Sequence, residues 1–158
     1  MSSENAETSH EPVVTVETDR GGRFTQDVRM GPHRLIADEP ASLGGEDEGP
    51  SPYQLLLAAL GTCTSMTIKM YADRKAWPLE RVRVALTHGR IYADDCKTCE
   101  TKVGQIDRIT RTITIEGPLD DEQRARLIEI ANKCPVHRTL LGEIVIDTKL
   151  ADPAAGAP

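Results

Sequence analysis

Aromatic side chains are scarce in this chain of 158 residues: one Phe, one Trp and three Tyr, 3% in all. Its core must therefore be built from Leu, Ile, Val, Ala and Met, which a hydrophobic content of 39% permits. A core without large rings gains from burying more surface against a second copy, so the composition is compatible with a dimer without requiring one. An excess of positive charge is missing too. The formal net charge is −6 and no run of Lys and Arg occurs, which removes the electrostatic footprint of a nucleic-acid binder and of a polybasic membrane anchor. The opening residues, MSSENAETSHEP, have neither a positive start nor an apolar stretch and do not read as a signal peptide. No Gly-rich phosphate loop of Walker or Rossmann spacing is present.

The length points to one domain. Residues 1–11 are polar and expected to be disordered, residues 152–158 read as a frayed tail, and 12–151 remain as the folded part. The stretch Tyr53–Ala72 is long enough to invite a membrane assignment. It carries Gln54, Thr62, Thr64, Ser65, Thr67 and Lys69, and so reads as a buried helix of a soluble protein. The expected location is the cytoplasm, with neither a membrane nor a nucleic acid as partner. Thiols are reduced there by default, so four cysteines point to metal or redox chemistry more than to structural disulfides.

The hydrophobic pattern is mixed. Val13–Thr18, Arg23–Met30 and His33–Asp38 read as strands separated by Gly21-Gly22 and Gly31-Pro32 turns, followed by an acid-rich loop, Glu39–Gly49. Ser51-Pro52 reads as a helix start, with Ser as cap and Pro first, and Trp77-Pro78 as its stop. Leu56, Ala59, Leu60, Cys63, Met66, Thr67 and Met70 share one side of that helix, and Leu55, Leu57 and Ala58 widen its apolar surface. Two strands follow. Val82, Val84, Leu86 and His88 alternate on one, and Ile109, Ile113 and Ile115 on the other, with Arg111 between them. Leu119–Lys133 reads as a second helix with acids in its first turn, Pro135 as its end and the start of a short one, and Ile144–Leu150 as a last strand. Strands, a long central helix, strands, helices and a strand make an α+β fold rather than a βαβ nucleotide fold.

The cysteines admit several readings. Cys63, mid-helix on an apolar face, reads from local pattern first as a small buried hydrophobe and only second as a chemical group. Cys134 precedes Pro135. It either ends one helix or caps the next, where backbone N–H groups would favour its thiolate. Cys96 and Cys99 form a Cys-x2-Cys that suits a zinc half-site, a redox dithiol or two incidental thiols. With Cys134-Pro-Val-His137 they complete a Cys-x2-Cys…Cys-x2-His set on paper, and His88 is another conceivable metal ligand beside Cys96 and Cys99.

Two segments carry a family resemblance. SPYQLLLAALGTCTSM, which contains Cys63, resembles the central-helix motif of the OsmC/Ohr family. CPVHRTL, beginning at Cys134, resembles its second cysteine motif. DDCKTCE and IDRITRTITIEGPLD are similar to the YhfA-like branch and to OsmC-like domains fused to hydrolases, and the likeness runs from about Val13 to Leu150. The resemblance implies an OsmC-like fold in an intertwined homodimer with two sites at the subunit interface. It further implies thiol-dependent reduction of hydroperoxides, organic ones especially, in oxidative or osmotic stress defence, without metal or flavin.

On that scheme Cys63 attacks the peroxide, Cys134 traps the sulfenic acid as a disulfide, and an external dithiol such as dihydrolipoamide reduces it. An apolar surrounding disfavours a thiolate, so a cation is needed. The resemblance implies Arg23, in Gly21-Gly22-Arg23, with Arg111 and Arg138 as substitutes. Peroxidase relatives hold their Arg with a Glu ten positions before the helical Cys, where this chain has Tyr53, and His137 replaces a small polar residue. These departures leave room for a non-catalytic ligand-binding or regulatory module on the same fold, and the Cys96/Cys99 pair for a zinc-binding protein.

Overall fold

The computed structural model describes residues 13–18 and 21–151. The termini expected to be disordered lie outside the described residues. The chain divides into two compact units, one up to Ala58 and one from Ala59.

In the first unit, β1 (Thr15–Glu17), β2 (Gln26–Met30) and β3 (His33–Ala37) form an antiparallel meander. Val28 pairs with both Val16 and Leu35. The turn between β2 and β3 uses Gly31 at φ +57°, a conformation glycine adopts without steric cost. The strands are shorter than their β-branched runs. Asp38, expected at the end of β3, instead turns its buried carboxylate to the backbone N–H groups of Glu39 (2.8 Å), Glu46 (3.0 Å) and Glu48 (3.3 Å), which fastens the acidic loop.

Helix α1 (Pro52–Arg74) starts and stops where the sequence places it. The Ser51 hydroxyl accepts from the Gln54 N–H at 3.4 Å and the Gln54 side chain accepts from the Ser51 N–H at 2.8 Å, a reciprocal cap. At the other end Trp77 N–H reaches Ala72 O (2.9 Å) and Ala76 N–H reaches Asp73 O (3.0 Å). Ala76 there adopts φ +53°, the left-handed position such helix ends usually give to glycine. By length and composition α1 would suffice to cross a bilayer. In the second unit it packs on protein instead. Ile68 and Ala72 join Leu119, Leu127 and Ala131 in the core, flanked by Trp77, Val82, Ile113 and Ile115.

The buried stripe corrects the expected helix face. Leu60, Gly61, Thr64, Ile68 and Ala72 are buried, whereas Met66 and Met70 are 64% and 71% exposed. A helix apolar on nearly all sides gives no single direction, and the strand it meets selects the side with the smallest residue. A Cβ on Gly61 would lie 2.9 Å from Leu86 Cδ1, so glycine is what lets α1 approach so closely.

That strand is β4 (Arg81–Tyr92), paired with β5 (Gln105–Glu116) in unbroken antiparallel register from Arg81↔Glu116 to Tyr92↔Gln105. Helix α2 (Asp121–Ala131) begins two residues later than expected, because Asp120 is its cap, accepting from the Gln123 N–H at 2.7 Å. Pro135 opens α3 (Pro135–Leu141). The order strands, helix, strands, helices matches the α+β expectation. The last expected strand, Ile144–Leu150, does not form. It has the β-branched composition of a strand but is not part of either sheet among the described residues, and composition alone does not supply the ladder a strand needs.

Replacing Ala76 by Gly relieves its left-handed backbone, and urea denaturation should show a gain of about 0.5–1 kcal/mol. An unchanged or lowered midpoint would contradict the assigned helix end.

Candidate functional site

Three elements of the second unit converge on one point. Helix α1 contributes Cys63 and Thr64, β5 contributes Arg111, and the turn from α2 into α3 contributes Asn132 and Cys134. Thr64 is on the buried stripe, which leaves Cys63 half-buried beside it. Arg111 shares the inward face of β5 with Ile109, Ile113 and Ile115, since alternate residues of a strand face one way.

The Arg111 guanidinium donates to the Thr64 hydroxyl at 2.7 Å, to the Ala131 carbonyl at 3.3 Å and to Asn132 Oδ1 at 2.8 Å. The Ala131 carbonyl belongs to the last turn of α2, where carbonyls lack helical partners and favour a cation. Cys134 is the cap of α3, and its sulfur accepts from the His137 backbone N–H at 3.3 Å. The two helix readings of Cys134 thus resolve toward the cap. Its side chain is fully buried, and it and Cys63 are free thiols.

Electrostatics follow from that placement. Burial pushes the Cys134 thiol up. The His137 N–H, the Thr64 hydroxyl, Cys63 and the charge of Arg111 outweigh it together, and the thiol ends below its ordinary value. The Thr64 hydroxyl has one proton and two acceptors, the Leu60 carbonyl at 2.7 Å and Cys134 Sγ at 3.7 Å. When Cys134 is a thiolate the sulfur becomes the stronger acceptor. Burial, and then Arg111, push the His137 imidazole down, so its side chain is neutral at neutral pH.

The remaining sequence candidates are placed within their own units. Arg23 belongs to the first unit, where its guanidinium sits 4.9 Å from the centre of the Phe24 ring. Tyr53, in the first turn of α1, is half exposed. Arg138 is exposed in the last turn of α3. Cys96 and Cys99 are joined in a disulfide, the oxidised form of the pair, in which the sulfurs are not thiolates. His88 turns to Asp107 (Nε2 to Oδ1, 2.9 Å) instead of toward them. Among the described residues no three His, Cys, Asp or Glu side chains are grouped as a metal site would need. Thr64 and Asn132 were not singled out in the sequence. Thr64 could have been found from the i, i+4 row Leu60–Thr64–Ile68–Ala72, and Arg111 from a charge at an inward strand position.

The OsmC-like protein family model matches residues 45–149. The chain belongs to the OsmC family. An OsmC-like protein from Mycoplasma pneumoniae aligns with a TM-score of 0.65 at 20% identity, over 85% of this chain and 89% of that one. An organic hydroperoxide resistance protein, OsmC, from Legionella pneumophila aligns at 0.60 and 22% identity, over 86% and 93%. One from Elizabethkingia anophelis aligns at 0.61 and 18%, over 86% and 91%. These likenesses establish the OsmC fold. Comparison with the curated proteins finds no match.

The cation beside Cys134 has a measurable consequence. The lowered thiol holds its thiolate to lower pH than an ordinary cysteine, so slow alkylation of Cys134 in the native protein, read afterwards by peptide mapping, should persist as pH falls below the usual thiol range. Arg111→Ala should move that inflection upward, and an unmoved inflection would show that Arg111 does not act on the sulfur.

Proposed function

We propose that this chain is a cysteine-based hydroperoxide reductase acting on organic hydroperoxides in the cytoplasm, with Cys63 as nucleophile and Cys134 as its resolving partner. The observation that carries the proposal is the meeting of two free thiols from α1 and the cap of α3, with the His137 N–H, the Thr64 hydroxyl and then the charge of Arg111 favouring the thiolate of the buried one. The family membership and the hydroperoxide resistance proteins among its structural relatives support the same chemistry.

The Cys63 thiolate attacks one peroxide oxygen, the O–O bond breaks, and an alcohol leaves after protonation. Cys63 is then a sulfenic acid. The Cys134 thiolate attacks that sulfur, an S–S bond forms and water leaves. A resolving thiol reacts as thiolate, which is the form its hydrogen bonds and Arg111 favour. An external dithiol, dihydrolipoamide being one candidate, reduces the disulfide. Arg23 is proposed as a second cation for Cys63.

We also propose an intertwined homodimer. Ile144, Val145, Ile146 and Leu150 are 52–99% exposed, and Met66 and Met70 stand beyond the buried stripe of α1. Surfaces so apolar suit a second copy.

The experiment is turnover of cumene hydroperoxide with dithiol in excess. Cys63→Ser should abolish it, about 10³-fold or more, as loss of a nucleophile does. Cys134→Ser should leave a sulfenic acid at Cys63 that dimedone labels. Arg111→Ala should lower the rate more than Arg23→Ala if Arg111 is the principal cation. Intact thiols without turnover would favour a ligand-binding module. For the dimer, Ile146→Asp should shift the protein toward monomer by sedimentation, and an unchanged mass would contradict the proposed interface.

A further inference from the structure

The second cysteine pair stands apart from the first. In β4 the half-buried residues alternate from Val82 through His88 and then change side, since Ile91 is the next. In β5 they alternate from Ile115 back to Ile109 and then change side at Ile106. The register is unbroken and Ile91 pairs with Ile106, so these two side chains lie on the reverse face of the hairpin. Together with Asp107 and Arg108 they line a cleft of about 340 Å³ at the end of the hairpin, closed on its other side by Asp95, Cys96, Lys97, Thr98 and Cys99. From Leu86, the partner of Arg111, to Tyr92 at the outer end of the ladder is about 20 Å at the rise of a strand. The disulfide, beyond that end of the ladder, is therefore out of reach of Cys134 in the same chain.

This bond is poorly placed to be a structural staple. Its ring spans a sequence separation of only 3, and short loops yield the smallest entropic stabilisation. The base of its loop is already closed by Ala93 N–H to Gly104 O at 2.8 Å, and Lys102 Nζ holds Cys99 O at 2.5 Å. Both cysteines are half-buried rather than buried, so their sulfurs open onto the cleft. The Thr98 hydroxyl lies 3.9 Å from Cys96 Sγ, where it can donate to sulfur as negative charge develops.

We propose that Cys96–Cys99 is a second, reversible thiol–disulfide centre that accepts electrons from a small aliphatic dithiol held on Ile91 and Ile106. One thiolate of the dithiol attacks Cys99 Sγ, the Cys96–Cys99 bond breaks, and Cys96 leaves as a thiolate stabilised by Thr98. The second thiol of the reductant then attacks its own sulfur in the mixed disulfide, releasing Cys99. Two electrons and two protons pass to the protein, and the reductant becomes a cyclic disulfide. The cleft falls in the size range of small-molecule sites; Ile91 and Ile106 suit the carbon chain of such a dithiol, and Lys97 and Arg108 its carboxylate. The proposal is independent of peroxidase activity.

The test uses the Cys63→Ser/Cys134→Ser variant, which retains only this pair, with peptide mapping of the unaltered chain as a parallel readout in case the variant misfolds. Dihydrolipoate should reduce the bond with a rate that saturates with concentration, and oxidised lipoate should restore it. Ile106→Glu should raise the half-saturating concentration at least tenfold. A bond that stays oxidised under native conditions, fails to reform, or is reduced with strictly linear concentration dependence would overturn the proposal. Failure of cumene hydroperoxide turnover with this exchange intact would count against the first proposal alone.

Discussion

A guanidinium on an inward-facing strand position joins three elements of the second unit. Arg111 reaches Thr64 on α1, the end of α2 through Ala131, and the side chain of Asn132 at the turn that leads to Cys134. Of these partners Thr64 is buried, so its hydroxyl, which also donates within α1 to Leu60 O, is held at a fixed position by the guanidinium. The apolar surroundings on β5, Ile109, Ile113 and Ile115, are what make the charge effective, because a cation acts over a longer range where water is excluded. The same residue thus fixes the position of Thr64 and α2 and sets the field at the buried thiol.

The arrangement also explains why the two free cysteines differ. Cys134 terminates a turn, accepts a backbone N–H and lies near a cation, so burial alone does not decide its protonation. Cys63 sits one residue from the buried stripe, partly open, where an incoming molecule can reach it. A reachable thiol beside a concealed, thiolate-favouring one matches the division of labour between a nucleophile and a resolving cysteine.

Much of this was legible in local chemistry. Ser51-Pro52 and Trp77-Pro78 bracket α1 because caps and proline act within one turn, and Asp120 and Pro135 do the same for α2 and α3. The alternation of β4 and β5 was equally plain. What escaped depends on distant partners. The buried stripe of α1 is not legible in its sequence because every side carries apolar residues, and contact with Leu86 at Gly61 selects one. Ile144–Leu150 has strand composition, but pairing cannot be read from composition. Arg111 was named without being ranked, since its role arises from residues 47 and 20 positions away. The Cys96–Cys99 spacing fitted a zinc half-site as well as a disulfide, and only geometry separates them.

The central claim is that Cys63 and Cys134 act as one redox pair. The most direct measurement is peptide mapping after one equivalent of cumene hydroperoxide is added to protein whose Cys63 and Cys134 are reduced. The account predicts a Cys63–Cys134 disulfide in stoichiometric yield. Two free thiols at these positions after the peroxide has been offered, with the fold intact, would contradict it.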